Sequence, residues 1–107
     1  MNGYVSKRLF QGFILLHILH HASEMPVFGS WLIEELSEHG YKLSPGTLYP
    51  ILHHLEEENL LEHYEENVGG KIRKYYVATE QGVAELYEAK RYLVELTREI
   101  GLQEQED

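Results

Sequence analysis

The chain has 107 residues, 43% of them hydrophobic, enough for one domain with a modest core. Eighteen acidic residues against nine basic ones leave a formal charge of −9, which argues against bulk attraction to nucleic acid or to an anionic membrane but leaves room for a local basic patch. With no cysteine, disulfides, thiolate metal sites and cysteine nucleophiles are excluded, and a cytoplasmic location is expected.

Lys7-Arg8, the apolar run at 9–19 and Ala22-Ser23 have the outline of a secretory signal. Gln11, Gly12 and His17 interrupt the run and His20 and His21 follow it, so a helix over residues 7–22 is the better reading. No apolar stretch reaches the roughly 18 residues of a membrane span. In the first helix Leu9, Phe10, Phe13, Ile14, Leu16, Ile18 and Leu19 cover more than one face, which predicts burial partly against another subunit. A second helix is predicted over 28–39, with Phe28, Leu32, Ile33 and Leu36 inward and Gly40 as its left-handed stop. A third runs over 44–59. Ser44 can cap it, Pro45 suits its first position, Leu48, Ile51, Leu52 and Leu55 form its core face, and Asn59 ends it. Pro50, lacking an N–H, is expected only near a helix start.

Two strand-like runs follow, 60–68 and 71–78, joined by Gly69-Gly70, a hairpin signal because the favoured turn needs positive φ at both positions. In the second, Ile72, Tyr76 and Ala78 share one face and Arg73, Tyr75 and Val77 the other. A last helix is predicted over 79–102, where Leu86, Ala89, Leu93, Leu96 and Ile100 make a short coiled-coil-like seam, widened by Val83 and Tyr87. A helix this long on so small a body is expected to pack on its counterpart in a second chain; the competing reading folds it back on its own domain. Helix, helix, helix, hairpin is the winged helix-turn-helix order. The predicted fold is therefore mostly α with a small β-hairpin, a winged helix-turn-helix domain over 1–78 and a C-terminal dimerisation helix with a frayed tail over 79–107. Phe10, Phe13, Leu86, Leu93, Leu96 and Ile100 are the expected dimerisation residues.

Ser44-Pro45-Gly46-Thr47-Leu48-Tyr49-Pro50, with Leu52, Leu55-Glu56 and Leu60-Leu61, resembles the third-helix signature of PadR-type transcriptional regulators. Arg73-Lys74-Tyr75-Tyr76 and Thr79-Glu80-Gln81-Gly82 resemble that family's wing and the start of its last helix, and Phe28-Gly29 the opening of its second. The resemblance covers about residues 8–100. It implies a dimeric winged-helix protein of the short form that binds double-stranded operator DNA, often as a repressor. It also implies that flat apolar effectors can bind at the dimer interface. The sequence departs from the pattern in placing His53 and His54 where arginine is common, and Ala78 where a larger aliphatic is usual.

The residues themselves can be tested against DNA binding. A reading helix needs small or polar groups on its outer face. Ser44, Gly46, Thr47 and Tyr49 supply them, with Pro50, His53 and His54 further along. Thr47 and Tyr49 hydroxyls and free first-turn amides can reach phosphates; Ser44 can equally be a plain cap, and Tyr49-Pro50 plain packing. Lys71, Arg73 and Lys74 are three of the nine basic residues, and no acid lies among them. They can follow the phosphate backbone, or merely keep a strand edge soluble. Lys7, Arg8 and Lys42 can widen the basic surface. Neutral imidazole adds no charge, and Glu56, Glu57 and Glu58 close the third helix with negative charge. If His53 and His54 face DNA, affinity is expected to rise as pH falls through about 6.5, where free histidine titrates.

Other chemistry is sparse. His17, His20 and His21 have metal-compatible i+3 and i+4 spacings, as do His53/Glu57 and His54/Glu58. A site needs three or four converging ligands, which one helix does not assure, so packed or hydrogen-bonded imidazoles, and no metal or other cofactor, are expected. No phosphate loop or nucleophile motif is present, so no enzyme is expected. Phe10, Phe13, Trp31, Tyr87 and Tyr92 can line an interface that takes a small aromatic effector, or serve as ordinary packing. The rival function is a winged-helix protein-interaction module with little DNA affinity, which the −9 charge and the histidines favour and the Lys71-Arg73-Lys74 cluster disfavours.

Overall fold

The computed structural model describes residues 3–102. In chain order these form α1 (Tyr4–Glu24), α2 (Gly29–Glu38), α3 (Pro45–Glu57), β1 (Leu61–Val68), β2 (Lys71–Ala78) and α4 (Glu80–Ile100). The expected frayed tail, 103–107, lies outside the described residues. The observed fold is the predicted one, mostly α with a two-stranded antiparallel hairpin and a long last helix. α1 begins three residues earlier than predicted. Its N-cap, Gly3, makes no side-chain capping bond, so the start carries no capping signature in the sequence.

One core joins all the elements. Ile14, Ile18, Leu19 and Ala22 of α1 meet Leu32 and Leu36 of α2, Leu48, Leu52 and Leu55 of α3, Leu60, Leu61 and Tyr76 at the wing base, and Leu86 of α4. α1 is less enclosed by its own chain than its composition suggests, because Leu9 and Leu15 remain exposed. Leu86, expected on the intermolecular seam, is buried in the chain's own core.

Helix ends follow the predicted chemistry. Asn59, with φ 62°, lets Leu60 N–H donate to Leu55 O at 2.9 Å and Asn59 N–H to Glu56 O at 2.9 Å, the paired bonds of a left-handed helix stop. Gly69 and Gly70 both have positive φ, 59° and 87°, as the hairpin turn requires. Pro50 departs from expectation: it sits in the helix interior as the sixth residue of α3. The cost is one carbonyl, that of Gly46, without its i+4 amide, and both residues are exposed, so water can satisfy it.

Two ties hold the wing and α4 to the body. Val27 N–H donates to Tyr76 O at 3.0 Å and Tyr76 N–H to Val27 O at 2.7 Å, a bridge between the strand β2 and the segment before α2. At the start of α4, the Thr79 hydroxyl accepts from Gly82 N–H at 2.9 Å and donates to Asn59 O at 2.7 Å. Asn59 Nδ2 donates to Gln81 Oε1 at 3.2 Å. A Cβ on Gly82 would overlap the Leu60 carbonyl, so the helix approaches the chain there as only glycine permits. The predicted division at residue 78 thus falls where α4 is already stitched to the body.

Candidate nucleic-acid interface

α2 and α3 form a helix-turn-helix pair, and the hairpin stands beside it. Ser44 Oγ accepts from Thr47 N–H at 3.3 Å and lies 3.2 Å from Thr47 Oγ1, so Ser44 acts as the cap of α3 and orients the Thr47 hydroxyl. Thr47, Tyr49, Pro50, His53 and His54 are all exposed.

Tyr49 reaches furthest toward the wing. Its hydroxyl sits over Gly29, at the first turn of α2, where a Cβ would collide with it. Tyr49 then lines a groove of about 570 Å³ together with Phe28, Gly29 and Ser30 and with Val68, Lys71, Ile72, Arg73 and Lys74 of the hairpin. Tyr49 of α3, the N-terminus of α2 and the basic wing residues therefore share one groove. Pro50 and His54 line a different depression, against Leu15 of α1.

The wing cations are placed by packing. The Arg73 guanidinium lies 4.0 Å from the centre of the Phe28 ring, a stacked cation–π contact. Phe28 meets Tyr75 edge-on at 5.6 Å, and Tyr75 stacks on Tyr64 across the strands at 5.4 Å. Among the described residues, no carboxylate oxygen lies within 4 Å of Lys71, Arg73 or Lys74.

Strand register adds what the β2 segment alone does not reveal. Glu66 stands directly opposite Arg73 and Glu65 opposite Lys74. With Glu62, the three acids of β1 equal the three bases of β2, so the wing is charge-segregated and not net cationic. One of the helix-closing glutamates is also occupied: Glu56 Oε2 lies 2.7 Å from His63 Nδ1. The Phe28 stack and the Val27 bridge join residues far apart in the chain, whereas the opposed acids and the Glu56–His63 pair join near neighbours across the hairpin and across the α3–β1 connection.

Two further surfaces bear on the sequence expectations. Leu93 (36% exposed), Leu96 (47%) and Ile100 (60%) remain open to solvent, as a seam would. Phe13 lines both apolar depressions between α1 and α4, of about 530 and 280 Å³. Phe10 is instead taken up against Tyr41 at 4.8 Å. The five rings expected around an aromatic effector do not converge within one chain. Trp31 packs edge-on to His21, Tyr87 and Tyr92 lie on another face of α4, and only Phe13 lines the apolar depressions by α1.

A helix-turn-helix pair whose outer helix shares a groove with the basic strand of a hairpin defines the winged helix-turn-helix class. A model of the transcriptional regulator PadR-like family matches residues 18–88. The chain is 53% identical over 87 residues to the transcriptional regulator Rv3488 of Mycobacterium tuberculosis, covering 81% of each. It superposes on a PadR family transcriptional regulator from Eggerthella lenta with a TM-score of 0.79 at 32% identity, over 91% of this chain and 86% of that one. A PadR-like transcriptional regulator from Bacillus cereus gives 0.76 at 31% identity, over 92% and 99%. The chain belongs to the PadR-like family of transcriptional regulators; it is a regulator and not an enzyme.

Proposed function

We propose that this regulator acts as a homodimeric repressor that seats α3 in the major groove of operator DNA and lays its wing along the flanking backbone. The observation that carries the reading is the shared groove, in which Tyr49 of α3 faces the cluster of Lys71, Arg73 and Lys74. Thr47, Tyr49 and His53 are the reading-helix residues on this view, Ser44 contributes by capping, and Pro50 and His54 stand at the margin of the contact. Dimerisation uses Leu93, Leu96 and Ile100 of α4 with Phe13 of α1, which leave apolar surface that a second copy can cover. Two-fold symmetry then requires a pseudo-palindromic operator with half-sites about one helical turn or more apart.

Selection of bound DNA from a random pool tests the reading directly. A palindromic winner supports it; recovery of no preferred sequence at low salt counts against it. Affinity should fall steeply between low and physiological salt, because each neutralised phosphate releases counterions. Operator affinity at two pH values tests His53 and His54, and equal affinities would remove them from the contact. A second reading, a protein-interaction module, is favoured by one observation: Glu65 and Glu66 stand directly opposite Lys74 and Arg73. A shallow salt dependence would support it.

A further inference from the structure

The sequence places His17, His20 and His21 on one helix with no assured partner; the tertiary structure supplies one. His39, the C-cap of α2, folds against α1 so that its ring lies 4.8 Å from that of His17. Ligand nitrogens of His17, His21 and His39 all lie within 4.8 Å of one another. Glu35 extends the set, with Oε1 3.6 Å from His21 Nε2 and 3.4 Å from His39 Nε2. His21 Nε2 is buried and has no hydrogen-bond partner, an arrangement that costs free energy unless something is bound there.

We propose that His17, His21 and His39 form a Zn²⁺ site that clamps α1 to the end of α2, with the Glu35 carboxylate as the fourth ligand. Three imidazoles and one carboxylate suit a borderline cation of tetrahedral preference. Nitrogens bound at about 2.1 Å stand roughly 3.4 Å apart across a tetrahedron, so modest side-chain rotation closes the cluster. Burial, reinforced by neighbouring imidazoles and opposed by Glu35, holds the His17 and His21 rings below their ordinary pKa, and neutral imidazole is the ligating form. His20 with Glu24 offers His21 a competing arrangement, but all its ligands come from a single helix end, so it would tie no second element to α1. Because the preferred ligands come from two helices, Zn²⁺ should bind the folded chain and stabilise it.

The test is titration of the chelator-treated full chain with ZnCl2, followed by calorimetry and by Tm. One ion per chain and a rise in Tm are expected. Co²⁺ in its place should show the visible absorption of a tetrahedral site. It should also quench Trp31, the only tryptophan, whose ring centre lies 5.4 Å from that of His21. His39→Gln alters a half-exposed side chain and should fold normally. It should weaken Zn²⁺ binding by more than the about 10- to 100-fold that loss of an outer-shell partner costs. His20→Gln should leave affinity unchanged. The assignment is overturned if the wild-type chain takes up no stoichiometric ion, if His39→Gln binds as tightly as wild type, or if His20→Gln alone abolishes binding.

Discussion

The two ends of α4 are held by different physics. At its start, Thr79 caps the helix and reaches back to Asn59, Gly82 lies against the Leu60 carbonyl, and Leu86 is buried in the core. Over its second half, Leu93, Leu96 and Ile100 stay exposed on a helix about 31 Å long. The molecule is accordingly elongated, 51 Å along its longest axis against 29 and 28 Å. Short-range polar bonds and close backbone approach complete the first end within one chain. The second presents an apolar stripe that its own chain leaves uncovered, and our proposal assigns that stripe to a second copy.

The largest effect is expected at the near end. Gly82→Val would drive a side chain into the Leu60 carbonyl and should destabilise the fold by about 3 kcal/mol, read as a drop in Tm. A fold indifferent to that change would remove the close approach from the account. At the far end, replacing Leu93 and Leu96 together by Asp should leave the body folded but monomeric in sedimentation, since each leucine fully buried at an interface contributes roughly 2 kcal/mol. A dimer that survives both changes would place the interface elsewhere.

A smaller effect sharpens the comparison through DNA. Arg73→Ala with Lys74→Ala should weaken binding alike on all sequences and reduce the slope of log affinity against log salt by about 2. Unchanged affinity would contradict the wing's role, whatever α4 does. The smallest change is at the cap. Thr79→Ala should cost about 1 kcal/mol, and Thr79→Ser, which keeps the hydroxyl, should restore most of it.

Element order was legible because local chemistry dictates it. Ser44-Pro45 starts α3, Asn59 stops it, and Gly69-Gly70 turns the hairpin, each within a few residues of the structure's own boundaries. The start of α1 was not legible, since Gly3 offers no side-chain cap. For the candidate interface, the exposed side of α3 and the basic run on β2 could be read directly. The acids facing that run could have been found by counting outward from Gly69-Gly70, which pairs Glu66 with Arg73 and Glu65 with Lys74. No local pattern announces that Phe28 will carry Arg73 or that His63 will hold Glu56.

By itself the sequence determined the winged-helix order, the caps and turns, and which residue types each face would offer, because helix and hairpin periodicity act over a few neighbours. Only the tertiary structure decided that Tyr49 and the wing cations line one groove, that Leu86 belongs to the chain's own core, and that His39 joins His17 and His21. Those juxtapositions depend on how α1, α2 and the hairpin pack together, and packing is set by the shape of the whole core and not by spacing along the chain.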